Sequence, residues 1–179
     1  MKDAHLQTFA IPLVVAVTGH RDLVATEVPR IRQRVQDLFE NLSTQFPDRR
    51  LTVMSPLAEG ADRLVAEVAL ELGIDLSVPL PMPKHLYLQD FDTPESRTRF
   101  ESLCERAIDV FELPPAKGNT VEMIAEPGEA RNREYAQVGV FLCAHCHILL
   151  AIWDGKVTSE LGGTGQVVKF HHDDFMPGY

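Results

Sequence analysis

Basic residues are scarce in this chain of 179 residues: 17 Lys+Arg stand against 26 Asp+Glu, a formal charge of −9. The few cations do not gather either. Residues 1–50 carry 7 basic and 6 acidic groups, 51–100 carry 4 and 8, 101–150 carry 4 and 8, and 151–179 carry 2 and 4. Holding a phosphate backbone takes a basic stripe, so its absence argues against nucleic acid as the main partner. Cysteine is nearly absent as well. Cys104, Cys143 and Cys146 are an odd number with no apolar leader in Met1–His5, which reads as a chain of the reducing cytoplasm. Long apolar runs are missing: the longest, Ile11–Val17, is interrupted by Pro12 and is far too short for a bilayer. Neither G-x-G-x-x-G nor G-x-x-x-x-G-K-[ST] occurs, so the standard dinucleotide fingerprint and the Walker loop are both excluded.

What is present is ordinary globular material, 45% hydrophobic and 24% charged. A chain of this length suits one domain over residues 1–179 that buries about 70% of its unfolded surface. Short β-branched runs alternate with segments of helical period, which predicts repeated strand–helix units and a parallel sheet. The expected strands are Leu13–Thr18, Leu51–Ser55, Asp75–Pro79, about Ile108–Leu113 and His147–Trp153. Expected helices place Val28, Ile31, Val35, Leu38, Phe39, Leu42 and Phe46 on one face, then Leu64, Val65, Val68, Ala69 and Leu72, then Phe100, Leu103, Cys104 and Ala107. Asp92-Thr93-Pro94-Glu95 reads as a helix start with a capping side chain and proline in the first turn. The Pro- and Gly-rich stretch from Pro114 to Glu129 reads as a mobile loop or lid, followed by a helix over about Ala130–Ala144. His171 to Tyr179 reads as a polar tail or as a cut inside a longer protein. The predicted fold class is therefore α/β, a single-domain, doubly wound, mostly parallel sheet, with its ligand at the carboxyl ends of the strands.

Three loops after strands carry the chemistry. Gly19-His20-Arg21 pairs a small residue, which lets backbone approach a ligand, with a guanidinium fork for phosphate or carboxylate. Ser55-Pro56-Leu57-Ala58-Glu59-Gly60-Ala61-Asp62 opens a helix, so Gly60 and Ala61 offer N–H groups at its positive end, while Asp62 is a cap or a grip on a ribose hydroxyl. Trp153-Asp154-Gly155 precedes Gly162-Gly163-Thr164-Gly165-Gln166, where three glycines at a helix start admit a phosphate and Thr164 adds a hydroxyl. Trp153 is placed either to stack on a base or to cap the core. Cys143-Ala144-His145-Cys146-His147 fits the haem-attachment spelling C-x-x-C-H, but it lies at a helix-to-strand junction with no export signal and no second pair of metal ligands, so the thiols read as small apolar residues and no metal is expected.

These loops, together with Arg131, resemble the SLOG superfamily of Rossmann-like folds, which includes the DNA-processing protein A fold, the LONELY GUY phosphoribohydrolases and the sensor domains of TRPM channels. Ser55 to Asp62 is similar to the S-G-x-A-x-G-x-D loop of the first group, and Gly162 to Gly165 to the G-G-x-G loop of the second. The resemblance covers nearly the whole chain. It implies a three-layer sandwich that binds a small anionic nucleotide or nucleotide-derived ligand, with no separate cofactor and with a homodimer as a compatible assembly. The implied site holds phosphates at Gly60-Ala61 and Gly162–Gly165, charge from Arg21 and Arg131, and ribose contacts from Asp62 or Asp154. The phosphoribohydrolase motif G-G-x-G-T-x-x-E ends in an acid, whereas Gln166 and Lys169 stand here. N-glycosidic cleavage would need another carboxylate, Asp154 or Glu59, beside its oxocarbenium-like transition state, and no residue is assigned a catalytic role. A nucleotide-binding sensor or processing domain is the first expectation, a nucleoside-monophosphate N-glycosidase the second, and a single-stranded DNA module the third.

Overall fold

A computed structural model describes residues 11–156 and 161–175. The first strand, β1 (Leu13–Gly19), has Val15, Ala16 and Val17 fully buried in succession. Residues that alternate faces are all buried only when both faces of the sheet are covered, which is why the run carries no polar alternation. The helix α1 (Val28–Gln45) has proline in its first turn and buries Val35, Phe39 and Leu42, while Gln33–Asp37 and Gln36–Glu40 hydrogen bonds of 2.8 Å line its outer side. There follow β2 (Leu51–Met54), α2 (Ala61–Glu71), β3 (Asp75–Leu80), α3 (Lys84–Tyr87) with a short 3-10 turn at Leu88–Asp90, and α4 (Pro94–Arg106). Of the two candidate caps at this helix start, Asp92 and Thr93, it is Thr93 that caps α4, its hydroxyl accepting from the Ser96 N–H at 3.1 Å. The chain continues through β4 (Asp109–Glu112), α5 (Val121–Ile124), α6 (Glu129–His145), β5 (Ile148–Ile152) and α7 (Thr164–Asp173).

The five strands form one parallel sheet in the order β4-β3-β2-β1-β5. Every pairing is parallel, from Leu13 opposite Leu51 on one side of β1 to Gly19 opposite Ile152 on the other. The chain steps away from β1 in one direction through β2, β3 and β4, then crosses to the other side for β5. The loops leaving β1 and β5 therefore diverge and leave a crevice between them at the carboxyl edge. Helices flank the sheet, with α1 and α4 packed on α2, and α6 packed on α7.

Two expectations are corrected here. The stretch from Pro114 to Glu129 is not a free lid. Ala116 is buried and donates its N–H to both carboxylate oxygens of the fully buried Glu134 at 3.1 and 3.0 Å, Asn119 donates to the same carboxylate and to the Ala130 carbonyl, and Ile124 lies in the main core. The polar stretch from His171 begins inside α7, which runs to Asp173, and the rest of the proposed tail from Met176 lies outside the described residues.

Candidate functional site

The crevice at the β1/β5 switch holds a cavity of about 500 Å³, lined by the ends of β1 and β5, the starts of α2 and α7, and the inner face of α6. This is the size of a small-molecule site. Of the residues singled out from the sequence, Gly19, His20, Arg21, Asp62, Trp153, Gly162, Gly163, Thr164 and Gly165 line it. The helix starts of α2 and α7, far apart in the chain, thus face one space.

Glycines bring these elements together. A Cβ on Gly19 would sit 2.3 Å from the Ala61 Cβ. Gly60, at φ 75°, presses its α-carbon against the loop after β1, where a Cβ would meet the Arg21 carbonyl oxygen at 2.1 Å. The neighbouring Ala61 N–H donates to the His20 carbonyl at 3.0 Å. Gly60 and Ala61 therefore join two loops: neither lines the cavity, and the Ala61 N–H is taken by His20, which corrects their assignment as a phosphate cradle.

The rest of the second loop serves to aim Asp62. The Ser55 hydroxyl accepts from the Leu57 N–H at 3.2 Å, and Leu57 itself is buried at φ 60°. Arg63 holds the Leu57 carbonyl at 3.0 Å, stacks its guanidinium 4.3 Å from the Phe91 ring centre and donates to the Ser96 carbonyl and hydroxyl. Glu59 accepts from that hydroxyl. Ser55 and Glu59 thus lie behind the cavity wall, not in it. Asp62 is 4% exposed and accepts one hydrogen bond, from the Ala58 N–H at 3.2 Å to Oδ2. Burial pushes its carboxyl up to about 7, against the pull of the Ala58 N–H and of Arg21 and Arg63.

Arg131 is the largest departure. Its side chain is 5% exposed and four of its five N–H groups are engaged, donating to Asp90 Oδ1 at 2.8 and 3.2 Å, to the Ile124 carbonyl at 2.6 Å and to the Leu86 carbonyl at 2.9 Å. It ties α3, α5 and α6 together and does not line the cavity, so it is not placed to hold a ligand phosphate there. Asp90 also accepts from the Tyr135 hydroxyl. Arg21 lies over Tyr135, its guanidinium carbon 5.7 Å from the ring centre. Desolvation opposes the charge of Arg21, but Tyr87, Tyr135 and Asp90 outweigh it and leave its pKa raised.

At the other wall, α7 opens with Gly163 as its cap residue and no side-chain cap. Gln166 does not reach the cavity; its Oε1 turns back to accept the Gly162 N–H at 3.0 Å. Among the described residues nothing accepts from the N–H groups of Gly163, Thr164 and Gly165. These three residues, at the positive end of a ten-residue helix, line the cavity. Gly162 is required here, since at φ 81° a Cβ would meet Tyr135 at 2.7 Å. Asp154 stands outside, bridging His20 Nε2 at 3.2 Å and Lys156 Nζ at 3.0 Å. Its hydrogen bonds to Lys156 and His20 hold its carboxyl well below the usual carboxylate range. Trp153 lines the cavity with its Nε1 donating to the Lys156 carbonyl at 2.9 Å, which leaves the ring positioned by its own loop.

Sequence reading missed Tyr87, Asn132, Tyr135 and Lys156, which also line the cavity. Tyr135 carried the signal of a core residue because it keeps helical spacing with Val138 and Leu142, and Tyr87 is hidden in a short helix after Pro83. The cysteine cluster lies elsewhere. Cys143 donates to the Val167 carbonyl, Cys146 to the Cys143 carbonyl, and burial pushes both thiols up, Cys143 to about 12.

No family model matches the chain, and no curated protein matches it. Among solved structures it is similar to DNA processing protein A from Streptococcus pneumoniae, with a TM-score of 0.53 and 16% identity over 91% of this chain and 48% of that one. The chain spans about half the length of that protein. At this identity the likeness shows a Rossmann-like fold.

Proposed function

We propose that this Rossmann-like domain binds one compact, phosphorylated, nucleotide-derived molecule in the cavity at its switch point. The observation that carries the reading is the meeting, along one cavity, of the start of α7, where three N–H groups have no acceptor among the described residues, with His20, Arg21 and Lys156. Helix N–H groups and nearby cations are what a phosphate requires. Trp153 and Tyr135 offer aromatic faces to a base, and Val138 and Leu142 supply the apolar part of the lining. The ligand phosphate sits at Gly163–Gly165, with Arg21 as its nearest guanidinium. Arg131 has no part in it.

A thermal-shift panel of mononucleotides, ADP-ribose, NAD and cyclic nucleotides tests this. A ligand at 100 times its Kd adds about 2.7 kcal/mol to the stability of the folded state, which is a shift of several degrees. No stabilisation by any member would overturn the reading. The structural neighbour is named for DNA processing, and a single-stranded oligonucleotide belongs in the same panel. The net charge of −9 favours the single metabolite, so the oligonucleotide is expected to leave the transition unmoved.

A further inference from the structure

One residue of α6 meets both halves of the phosphate site described above. The start of α7 leans on the backbone at Tyr135: a Cβ on Gly162 would meet the Tyr135 Cβ at 2.7 Å and the Ala136 nitrogen at 2.8 Å. From the other half, the Arg21 guanidinium carbon stands over the Tyr135 ring, 5.7 Å from its centre. An arginine in a loop has several rotatable bonds and, without a support, samples many positions. Here the supporting ring is itself fixed. The Tyr135 hydroxyl donates to Asp90 Oδ2, and Asp90 Oδ1 is held by Arg131 Nη2 at 2.8 Å and Nε at 3.2 Å. With both oxygens engaged, the carboxylate is held in one orientation. The buried Tyr87 ring packs on the Tyr135 ring with centres 6.3 Å apart. Ring packing alone would be served equally well by phenylalanine; the hydroxyl, reaching a carboxylate 45 residues away in the chain, is what sets tyrosine apart at this position. Burial works against the charge of Arg21, and Tyr87, Tyr135 and Asp90 together outweigh it.

We propose that Tyr135 is the positioning residue of the site: anchored on Asp90 through its hydroxyl, it holds the Arg21 guanidinium in place beside the start of α7 before any phosphate arrives. A side chain that must be ordered when the ligand binds costs affinity, whereas one ordered beforehand does not. Contact with a ring sets a distance but no direction; fixing the phenol at Asp90 fixes the plane on which the guanidinium rests. Asp90 does not line the cavity, so its influence on a ligand passes through Tyr135 and Arg21. A carboxylate among the lining groups would repel a phosphate, and behind the tyrosine it supports the cation instead. This inference rests on the phosphorylated-ligand reading above and adds how the guanidinium of that site is aimed.

Titration calorimetry with inorganic phosphate tests this on the wild-type chain, Arg21→Gln, Tyr135→Phe and the double variant. Tyr135→Phe keeps the ring, its packing on Tyr87 and the backbone beneath Gly162, so it removes the anchor and leaves the fold intact. Arg21→Gln should weaken phosphate binding about tenfold or more through loss of a charge-assisted pair, and Tyr135→Phe about fivefold through loss of preorganisation. In the Arg21→Gln background, Tyr135→Phe should add less than about twofold, because the hydroxyl acts only through Arg21. A residue that merely props up the start of α7 would weaken both backgrounds alike. Wild-type affinity in Tyr135→Phe, or equal losses in both backgrounds, overturns the inference, while the loss in Arg21→Gln keeps the phosphate reading standing. Binding that survives Arg21→Gln unchanged overturns the inference and removes Arg21 from the site. If inorganic phosphate does not bind the wild type, the phosphate reading falls and this inference falls with it.

Discussion

Burial holds the Asp62 carboxyl at about 7, whereas the ordinary value, which it regains on unfolding, is 3.8. Between those limits the folded chain binds a proton that the unfolded chain has lost, so this residue makes stability fall as pH rises. Its contribution is fully present below about pH 4 and is gone above about pH 7, a loss on the order of 4 kcal/mol. Asp62→Asn removes the titration. Urea denaturation at pH 4.5, 6 and 7.5 should therefore show the variant gaining on the wild type at each step, and parallel curves would contradict the burial of this carboxyl. Two other residues invite tests of placement. Gly60→Ala puts a methyl group 2.1 Å from the Arg21 carbonyl oxygen at a positive φ, and should cost at least about 2 kcal/mol in the same assay. Arg131→Ala strips Asp90 and two buried carbonyls of their donor and should cost about 3–5 kcal/mol. A phosphate clamp would instead lose affinity with stability intact, so the two roles are read by different instruments.

Elements were legible where their signals are local. The helix start of α4 before Pro94, the apolar run of β1 and the alternation of strands with helices all follow from residues within a few positions of one another, and Thr93→Ala should cost about 1 kcal/mol by removing a cap. The site was legible in part for the same reason. Glycines after strands mark loops that approach something closely, but not what they approach: Gly163–Gly165 face the cavity, while Gly60 faces a neighbouring loop. Arg131 misleads because its partners, Asp90 and Leu86, lie 41 and 45 residues away and complete its hydrogen bonding only in the fold. The stretch after Pro114 reads as a lid because proline and glycine are visible there and Glu134, 18 residues beyond Ala116, is not visibly its anchor. Glu134→Gln tests that anchor at the scale of the loop. An amide puts a donor where the Ala116 and Asn119 N–H groups need an acceptor, and limited proteolysis should then cut between Pro114 and Gly128 at least tenfold faster, with the wild-type chain resistant there.

At the scale of the whole molecule, a chain of net charge −9 presents two cations, Arg21 and Lys156, in the lining of its cavity, the arrangement on which the proposal of one small anion rests. The way the chain after β4 is fastened has a further consequence for how the molecule opens. The Ala116 amide belongs to no helix or strand, yet it points at both oxygens of a carboxylate buried in α6. Lifting the loop to free that N–H also withdraws the Asn119 amide and leaves the carboxylate without its two loop donors in the interior, so the loop cannot lift while α6 stays docked. Loop and helix form a single cooperative unit. In deuterium exchange the Ala116 amide should therefore keep pace with the slowest amides of α6, not with the loop on either side of it. A residue without secondary structure becomes a clock for the unfolding of the core.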